Sequence, residues 1–254
     1  MLRPAAWLAV LFLVPCGAGR ADERLPTYRS PRAHAAQLFL RDGTNLRSRK
    51  DVEKLARKLP GSKVRGDDPV VWDLGGGVLR GDKQKGDGGQ DEKQEALFRA
   101  RMPLVVRNGF VRRNKNAALF MAPRSGMDRI TFTEIGEDAV ATAQGAHGFT
   151  LKGCEFINDR EGDKSAQLNE ARGAVVAGNF FHSGRTALRV GDKQTTQTQD
   201  LAIVRNNHFH ACDTAIHASR ITVRQWDNRF DKVRKHLKTA NGARVIDSAP
   251  EAGR

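Results

Sequence analysis

The sequence predicts an all-β fold, a single-stranded right-handed parallel β-helix with a short N-terminal capping helix. Short runs rich in β-branched and aromatic residues follow one another from Val70 onward, and Gly, Asn and Asp separate them. These runs repeat about every 22 residues, with small insertions. Such a period suits a solenoid, because each coil buries its inward side chains only by stacking on the next coil.

The first element is a predicted secretory signal peptide over residues 1–20. It has a basic start, an apolar stretch of about a dozen residues and a small-residue end. This apolar stretch is too short to predict a membrane span. We therefore expect a secreted protein, extracellular or periplasmic, that makes no membrane contact after the signal is removed.

Residues 21–69 are predicted to form an N-terminal arm and the capping helix. In "SRKDVEKLARKL" the apolar residues recur at helical spacing, Ser48 and Asp51 stand as a capping pair, and Pro60 follows the run. An amphipathic helix needs an apolar surface to lie on. The open N-terminal end of a solenoid provides one.

Residues 70–248 are predicted to form the β-helix domain. Runs such as "FTLKGCEF", "AVVAGNFF" and "AIVRNNHF" share a β-rich trio, a polar turn and an aromatic residue. A second short strand follows most of them, as in "EDAVAT", "DKSAQL" and "RTALRV". The alternative fold is an antiparallel sandwich, which predicts hairpin turns and no columns of equivalent residues.

Aligning the second strands predicts three columns of side chains on one face. Equivalent positions in neighbouring coils of a β-helix lie about 4.8 Å apart. Acids gather at one end of these columns and bases at the other. The columns are Lys115, Glu137, Asp163, Arg185 and Asp213; Asn116, Asp138, Lys164, Thr186 and Thr214; and Leu119, Ala141, Gln167, Arg189 and His217.

The acidic end of the columns is a candidate Ca²⁺ site. The carboxylates of Glu137, Asp138 and Asp163, with the side-chain carbonyl of Asn116, form a cluster of oxygen donors that suits a hard cation. Like charges this close repel one another, and a cation relieves the repulsion. The alternative is a surface network in which the two adjacent acids pair with Lys164 and the neighbouring arginine.

The basic end of the columns predicts contact with a polyanion. Arginine forks bind carboxylates in a bidentate manner, which makes Arg185 and Arg189 candidates for holding an acidic substrate, with Gln167 beside them. Lys164 is the candidate catalytic base, because a nearby metal and cationic neighbours favour its neutral form.

Composition favours an acidic polysaccharide as the partner. The formal net charge is +14, while aromatic residues make up 6% of the chain. An exported chain with few aromatic residues to stack bases points away from nucleic acid. The alternative is a generally basic surface that has no specific partner. We expect a monomer.

The remaining cysteines and histidines suggest no metal or disulfide site. Cys154 and Cys212 are predicted to be buried free thiols, because a disulfide scaffold would carry more cysteines. The histidines lack metal-ligand spacing and are expected on coil surfaces or in turns; they are His208, His210, His217 and His236.

Four motifs occur in order along the chain: "GDGGQDEKQEALFR" from Gly86, "IGEDAV" from Ile135, "DKSAQLN" from Asp163 and "NFFHSGRTALR" from Asn179. Together they resemble the small pectate lyases of polysaccharide lyase family 3, which are built on a right-handed β-helix. The match covers about residues 70–240. Each motif alone is weak, whereas four in the same order and spacing are more specific.

The resemblance implies Ca²⁺-assisted β-elimination on polygalacturonate. It implies that Glu137 and Asp138 bind Ca²⁺, and that Lys164 acts near the abstracted proton. It also implies substrate binding by a basic residue of "GRTALR", and it places Glu92 in the first motif. One family aspartate falls at Asn116, and the family's Gly-Lys-x-x-Arg is one residue longer here. The alternatives are a non-catalytic β-helix that binds acidic polysaccharide and a lyase that acts on another polyuronate.

Overall fold

Strands that are one coil apart in the chain lie side by side in a computed structural model of the protein. Every described strand pairing is parallel except that of β3 (Lys63–Arg65) with β4 (Val70–Asp73). The coils form a right-handed parallel β-helix, as predicted. The structure describes residues 34–41, 43–81, 96–112, 117–135, 138–143, 145–157, 164–169, 172–182, 184–191 and 201–249, with the backbone alone at Lys164.

One face of the solenoid, here called the front sheet, has eight parallel strands. They follow the chain order without a break, so each strand contacts the equivalent strand of the coil before and after it. The strands are β2 (Thr44–Leu46), β6 (Phe98–Ala100), β8 (Ala118–Phe120), β10 (Val140–Thr142), β13 (Lys164–Leu168), β16 (Thr186–Val190), β19 (Thr214–Ser219) and β22 (Lys235–Ala240).

The other two faces belong to one larger sheet, because its long strands β7 (Leu104–Arg112) and β9 (Gly126–Thr133) run through both. The face that follows the front sheet in each coil is called the flank row, and the next one the back row. The flank row contains β4, the first parts of β7 and β9, β11 (Thr150–Lys152), β14 (Val175–Ala177), β17 (Leu201–Arg205), β20 (Thr222–Trp226) and β23 (Arg244–Asp247). The back row contains β1 (Gln37–Leu40), β5 (Val78–Gly81), the second parts of β7 and β9, β12 (Glu155–Ile157), β15 (Phe180–His182), β18 (His208–His210) and β21 (Arg229–Asp231).

A stack of phenylalanines forms part of the core behind the back row. Phe132, Phe156, Phe181, Phe209 and Phe230 occupy one register position in successive coils. Neighbouring rings lie nearly parallel, with centroids 4.7 to 5.4 Å apart. This explains the aromatic residue that recurs after each polar turn, because a fixed register repeats one buried environment in every coil.

In the turn between the flank and back rows, one position has a left-handed backbone conformation in successive coils, and the position after it carries a side-chain amide in several of them. Its left-handed residue has φ between 51° and 65° in six successive coils, at Asn108, Arg129, Gly153, Gly178, Asn206 and Asp227. The next residue is asparagine in the last three of these coils. Asn179 Nδ2 donates to Asn207 Oδ1, and Asn207 Nδ2 donates to Asn228 Oδ1, so the buried amides form a ladder.

The helix α1 (Arg49–Ala56) closes the N-terminal end, as predicted. Ser48 is the N-cap, and its capping box with Asp51 is present. Val52 and Ala56 are buried in the same core cluster as the coils. Strands β1 and β2 pair with β5 and β6, so the sheets extend further toward the N-terminus than the predicted domain boundary at residue 70.

Both cysteines of the β-helix are buried and free, as predicted. Burial raises the pKa of the Cys154 and Cys212 thiols to about 12. The thiols therefore behave as small core side chains. In the described part of the chain, no helix combines the length and apolar character that crossing a membrane requires.

Candidate functional site

The front sheet carries the predicted site residues that the structure describes. Asp138 lies two residues before β10, Gln167 lies in β13, Arg185 directly precedes β16 and Arg189 lies in β16. Lys164 is the first residue of β13. The other predicted site residues lie outside the described residues; they are Glu92, Asn116, Glu137 and Asp163.

The register confirms the predicted column through Lys164. Lys164 pairs with Thr186, which in turn pairs with Thr214. Val140 pairs with Ala166, so Asp138 takes the position in its coil that Lys164 takes in the next. The backbone agrees, because Ala139 N donates to the Ser165 carbonyl over 3.1 Å. Two of the predicted site residues, Asp138 and Lys164, are thus one coil apart.

The register also confirms the third predicted column. Ala141, Gln167, Arg189 and His217 pair in sequence along β10, β13, β16 and β19. The column continues to Lys238 in β22. Its end toward the C-terminus therefore carries two cations and an imidazole, whereas the three positions from Leu119 to Gln167 carry uncharged residues.

Two side chains of this column differ in how they are held. Gln167 Nε2 donates to Asn169 Oδ1 over 3.0 Å, and the Asn169 amide donates to the Thr142 carbonyl. Gln167 is therefore fixed by the turn that follows its own strand. Arg189 is half-buried, and its Nε has no hydrogen-bond partner among the described residues. A buried guanidinium nitrogen without an acceptor is costly, so an acidic ligand would stabilise it.

A basic cleft opens on the C-terminal part of the front sheet. It has a volume of about 410 Å³, and Arg185 and Thr186 form one end of its lining. The described residues that line it are Arg185, Thr186, Asp213, Thr214, Arg234, Lys235 and Lys238. The cleft therefore presents four cationic side chains against one carboxylate.

Backbone hydrogen bonds hold the three rungs of this cleft in register. Thr214 N donates to the Arg185 carbonyl over 2.9 Å, and Lys235 N donates to the Asp213 carbonyl over 2.8 Å. Gly184, with φ of 108°, brings the chain into β16 in a conformation that a residue with a side chain rarely adopts. The glycine at position 184 therefore has a structural reason, and the charged Arg185 follows it.

Three cations of the cleft were missed by the sequence columns, which ended at Asp213, Thr214 and His217. The missed residues are Arg234, Lys235 and Lys238. The segment "RKHLKTA" has the same spacing as its predecessor "DTAIHA", because Thr214 pairs with Lys235 and His217 with Lys238. Extending the repeat by one coil would have found them.

The described residues carry only part of the predicted Ca²⁺ site. Asp138 is half-exposed, and Ala117 N donates to its backbone carbonyl over 3.0 Å. No group of three or more His, Cys, Asp or Glu side chains within the described ranges could hold a metal ion. The donor chemistry of the predicted set fits Ca²⁺, since three carboxylates and one amide supply oxygen ligands only.

The four histidines lie in strands; His236 is exposed and His208 and His217 are half-buried, as expected for coil surfaces, whereas the burial of His210 corrects its placement. His208 and His210 lie in β18, His217 in β19 and His236 in β22. His210 Nδ1 lies 2.9 Å from His182 Nδ1, and burial together with the charges of neighbouring His182 and Lys232 lowers the pKa of His210.

No family model, curated protein or solved structure matches the chain. The resemblance to the small pectate lyases therefore stays a prediction that depends on the four motifs.

Proposed function

We propose that the protein is a secreted pectate lyase that cleaves polygalacturonate by Ca²⁺-dependent β-elimination. The observation that carries the proposal is the register of the front sheet. Lys164 comes one coil after Asp138 and one coil before Thr186, which lines the basic cleft. A candidate base therefore has a candidate metal ligand on one side and cations for an acidic substrate on the other.

The metal would be held by oxygen donors at the start of the columns. We assign Asp138, Glu137, Asp163 and Asn116 as its ligands, and the amide in place of a fourth carboxylate would weaken Ca²⁺ binding. Bound Ca²⁺ would neutralise the uronate carboxylate and stabilise the charge that develops as carbon 5 loses its proton.

The chain's own residues would position the sugar and move the proton. Lys164 would accept the proton from carbon 5. Arg185 and Arg189 would hold the substrate carboxylate, with Gln167 and Glu92 as further substrate contacts. The electron pair of the broken C–H bond forms the double bond between carbons 4 and 5. The leaving oxygen departs from carbon 4 and takes up a proton, so the reaction consumes no water.

The main test measures the ultraviolet absorbance of the unsaturated product on polygalacturonate, with Ca²⁺ and with a chelator. We expect activity with Ca²⁺ alone and an alkaline optimum, because the base must be unprotonated. Lys164→Ala should lower kcat/KM by roughly 100-fold or more, since general-base catalysis contributes about that factor. Asp138→Ala should lower activity and raise the Ca²⁺ concentration that the enzyme needs.

Two exposed residues of the flank row provide matched controls. Lys152→Ala in β11 and Asp247→Ala in β23 remove the same charges far from the front-sheet columns. Both variants should keep wild-type rates. Wild-type rates in Lys164→Ala and Asp138→Ala would overturn the site assignment.

The second candidate function is non-catalytic binding of acidic polysaccharide. The basic cleft favours it, because four cations against one carboxylate attract a polyanion without any metal. Binding that persists in chelator, together with no product double bond on any uronate, would support this function against the lyase. A product on alginate or a glycosaminoglycan, but not on polygalacturonate, would instead identify a lyase for another polyuronate.

A further inference from the structure

We propose that Arg234, Lys235 and Lys238 form a subsite that binds an acidic sugar of the polymer, three coils beyond the reacting residue. The identity of the polymer rests on the proposed function. The subsite itself rests on the cleft, whose C-terminal wall consists of these three residues.

The side chains of the three cations form no ion pair within the described part of the chain. All three are exposed. Five arginines on the other faces do pair with acids: Arg107 with Asp73, Arg112 with Glu134, Arg124 with Asp68, Arg129 with Asp128, and Arg229 with Asp231. Unpaired like charges gathered in one cleft repel each other, and an anionic ligand would relieve this repulsion.

The polar groups between the cations suit a sugar acid. Asp213 and Thr214 belong to the coil that lies between those of Arg185 and Arg234. A carboxylate accepts hydrogen bonds from sugar hydroxyls, and a threonine hydroxyl both donates and accepts.

The same lining argues against nucleic acid. None of the described residues that line the cleft is aromatic, so none can stack on a base. Between the two polyanions that the charge alone would admit, the lining therefore favours a polysaccharide.

The register joins this subsite to the proposed reacting residue. Lys164, Thr186, Thr214 and Lys235 share one column. Three strand spacings, about 14 Å, therefore separate the first and last of these positions. A sugar in an extended polysaccharide is about as long as one strand spacing. A polysaccharide that lies along the solenoid axis with one of its sugars at Lys164 would thus place the sugar about three units further along at Lys235.

The test compares oligogalacturonates of increasing length by calorimetry, in chelator so that the proposed reaction cannot consume them. The variant is the triple substitution Arg234→Ala, Lys235→Ala and Lys238→Ala. Its control is Lys50→Ala, Lys54→Ala and Arg57→Ala, which removes three exposed cations of the same types at α1. We expect the Kd for long oligomers to rise roughly tenfold in the variant. The Kd for the shortest oligomers, and every Kd of the control, should not change.

The outcomes separate this subsite from the proposed function. A protein without lyase activity whose length-dependent binding is lost in the triple variant would contradict the lyase and support the subsite. An active lyase whose Kd and KM for long oligomers are unchanged by the triple substitution would overturn the subsite.

Two further measurements complete the test. Single-stranded DNA that binds as tightly as the long oligomer, and loses binding in the triple variant, would overturn the carbohydrate assignment. If the triple variant fails to fold, the single charge reversal Lys238→Glu should weaken binding of the long oligomer instead, and unchanged binding would overturn the subsite.

Discussion

Acids and bases form pairs in the flank and back rows, whereas cations gather in one cleft on the C-terminal part of the front sheet. Asp73, at the end of β4, accepts hydrogen bonds from Gly75 N, Arg107 Nε and Asn108 Nδ2, each over 3.0 Å. The basic cleft instead places Arg234, Lys235 and Lys238 together without an acid partner in the described chain.

This difference separates charges that stabilise the fold from charges that are available to a ligand. When a partly buried carboxylate accepts hydrogen bonds from three donors of its own chain, these bonds offset the free-energy cost of removing the carboxylate from water. Exposed cations of one sign contribute little to folding and create a field that attracts an anion. Both arrangements arise because the register places equivalent residues of successive coils next to one another. They differ because equivalent positions alternate between acids and bases in the flank row, whereas several equivalent positions of the front sheet carry bases.

The buried Asn ladder should show the largest effect on folding. Asn207→Ala removes the acceptor of Asn179 N and Asn179 Nδ2 and the donor to the Val176 carbonyl. Because unpaired buried polar groups are costly, we expect a loss of about 3 kcal/mol in the free energy of unfolding. Urea denaturation measures it.

An exposed asparagine provides the control for this prediction. Asn45 accepts one exposed hydrogen bond from Arg101 Nε, so Asn45→Ala should cost less than about 1 kcal/mol. Equal losses in the free energy of unfolding for Asn207→Ala and Asn45→Ala would show that the buried ladder stabilises the fold no more than an exposed hydrogen bond does.

The Asp73 pairing should show a smaller effect that depends on pH. Burial tends to raise the pKa of Asp73, but hydrogen bonds from Gly75, Asn108 and Arg107 outweigh it and hold this pKa below its usual value of 3.8. The pairing therefore stabilises the folded state above pH 3.8, and the contribution disappears as the pH falls through the lower folded-state pKa.

Denaturation of wild type and Asp73→Asn across pH values checks this sign. We expect the variant to be less stable by on the order of 2 kcal/mol at pH 7, and the difference to shrink in acid below the usual carboxyl pKa. A difference that stays constant through that acid range would mean that the carboxylate charge is not its source.

The cleft cations should show the smallest effect on folding. Lys235→Ala and Lys238→Ala, alone or together, should change the free energy of unfolding by no more than about 0.5 kcal/mol, because both side chains are exposed and neither has a partner among the described residues. Thermal or urea denaturation measures this. A loss above about 1 kcal/mol would place these lysines with the structural charges and remove the contrast between the two regions.

Much of the fold was predictable because a solenoid repeats its environments. The column of Asp138, Lys164, Thr186 and Thr214 follows from the spacing of short β runs, and the register confirms it. The capping box of α1 and the buried free cysteines were also predictable, since they depend on local spacing and on cysteine number.

Other features could not be predicted because they depend on neighbours that are distant in the sequence. Strand β1 lies in the segment that was predicted to be an N-terminal arm, where the sequence shows no repeat. It belongs to the solenoid through its pairing with Val78–Gly81. The pairing of Arg124 with Asp68 joins residues that no repeat relates. The burial of His210 could not be predicted either, because it depends on His182 in the preceding coil.

The amino-acid sequence by itself determined the period, the parallel β-helix and the order of residues within each column. These properties follow from side-chain alternation and turn residues, which are local along the chain. Only the tertiary structure decided which charges are paired and which gather in a cleft. Charge pairing depends on the distance between side chains of neighbouring coils, and that distance is defined only once the coils are stacked.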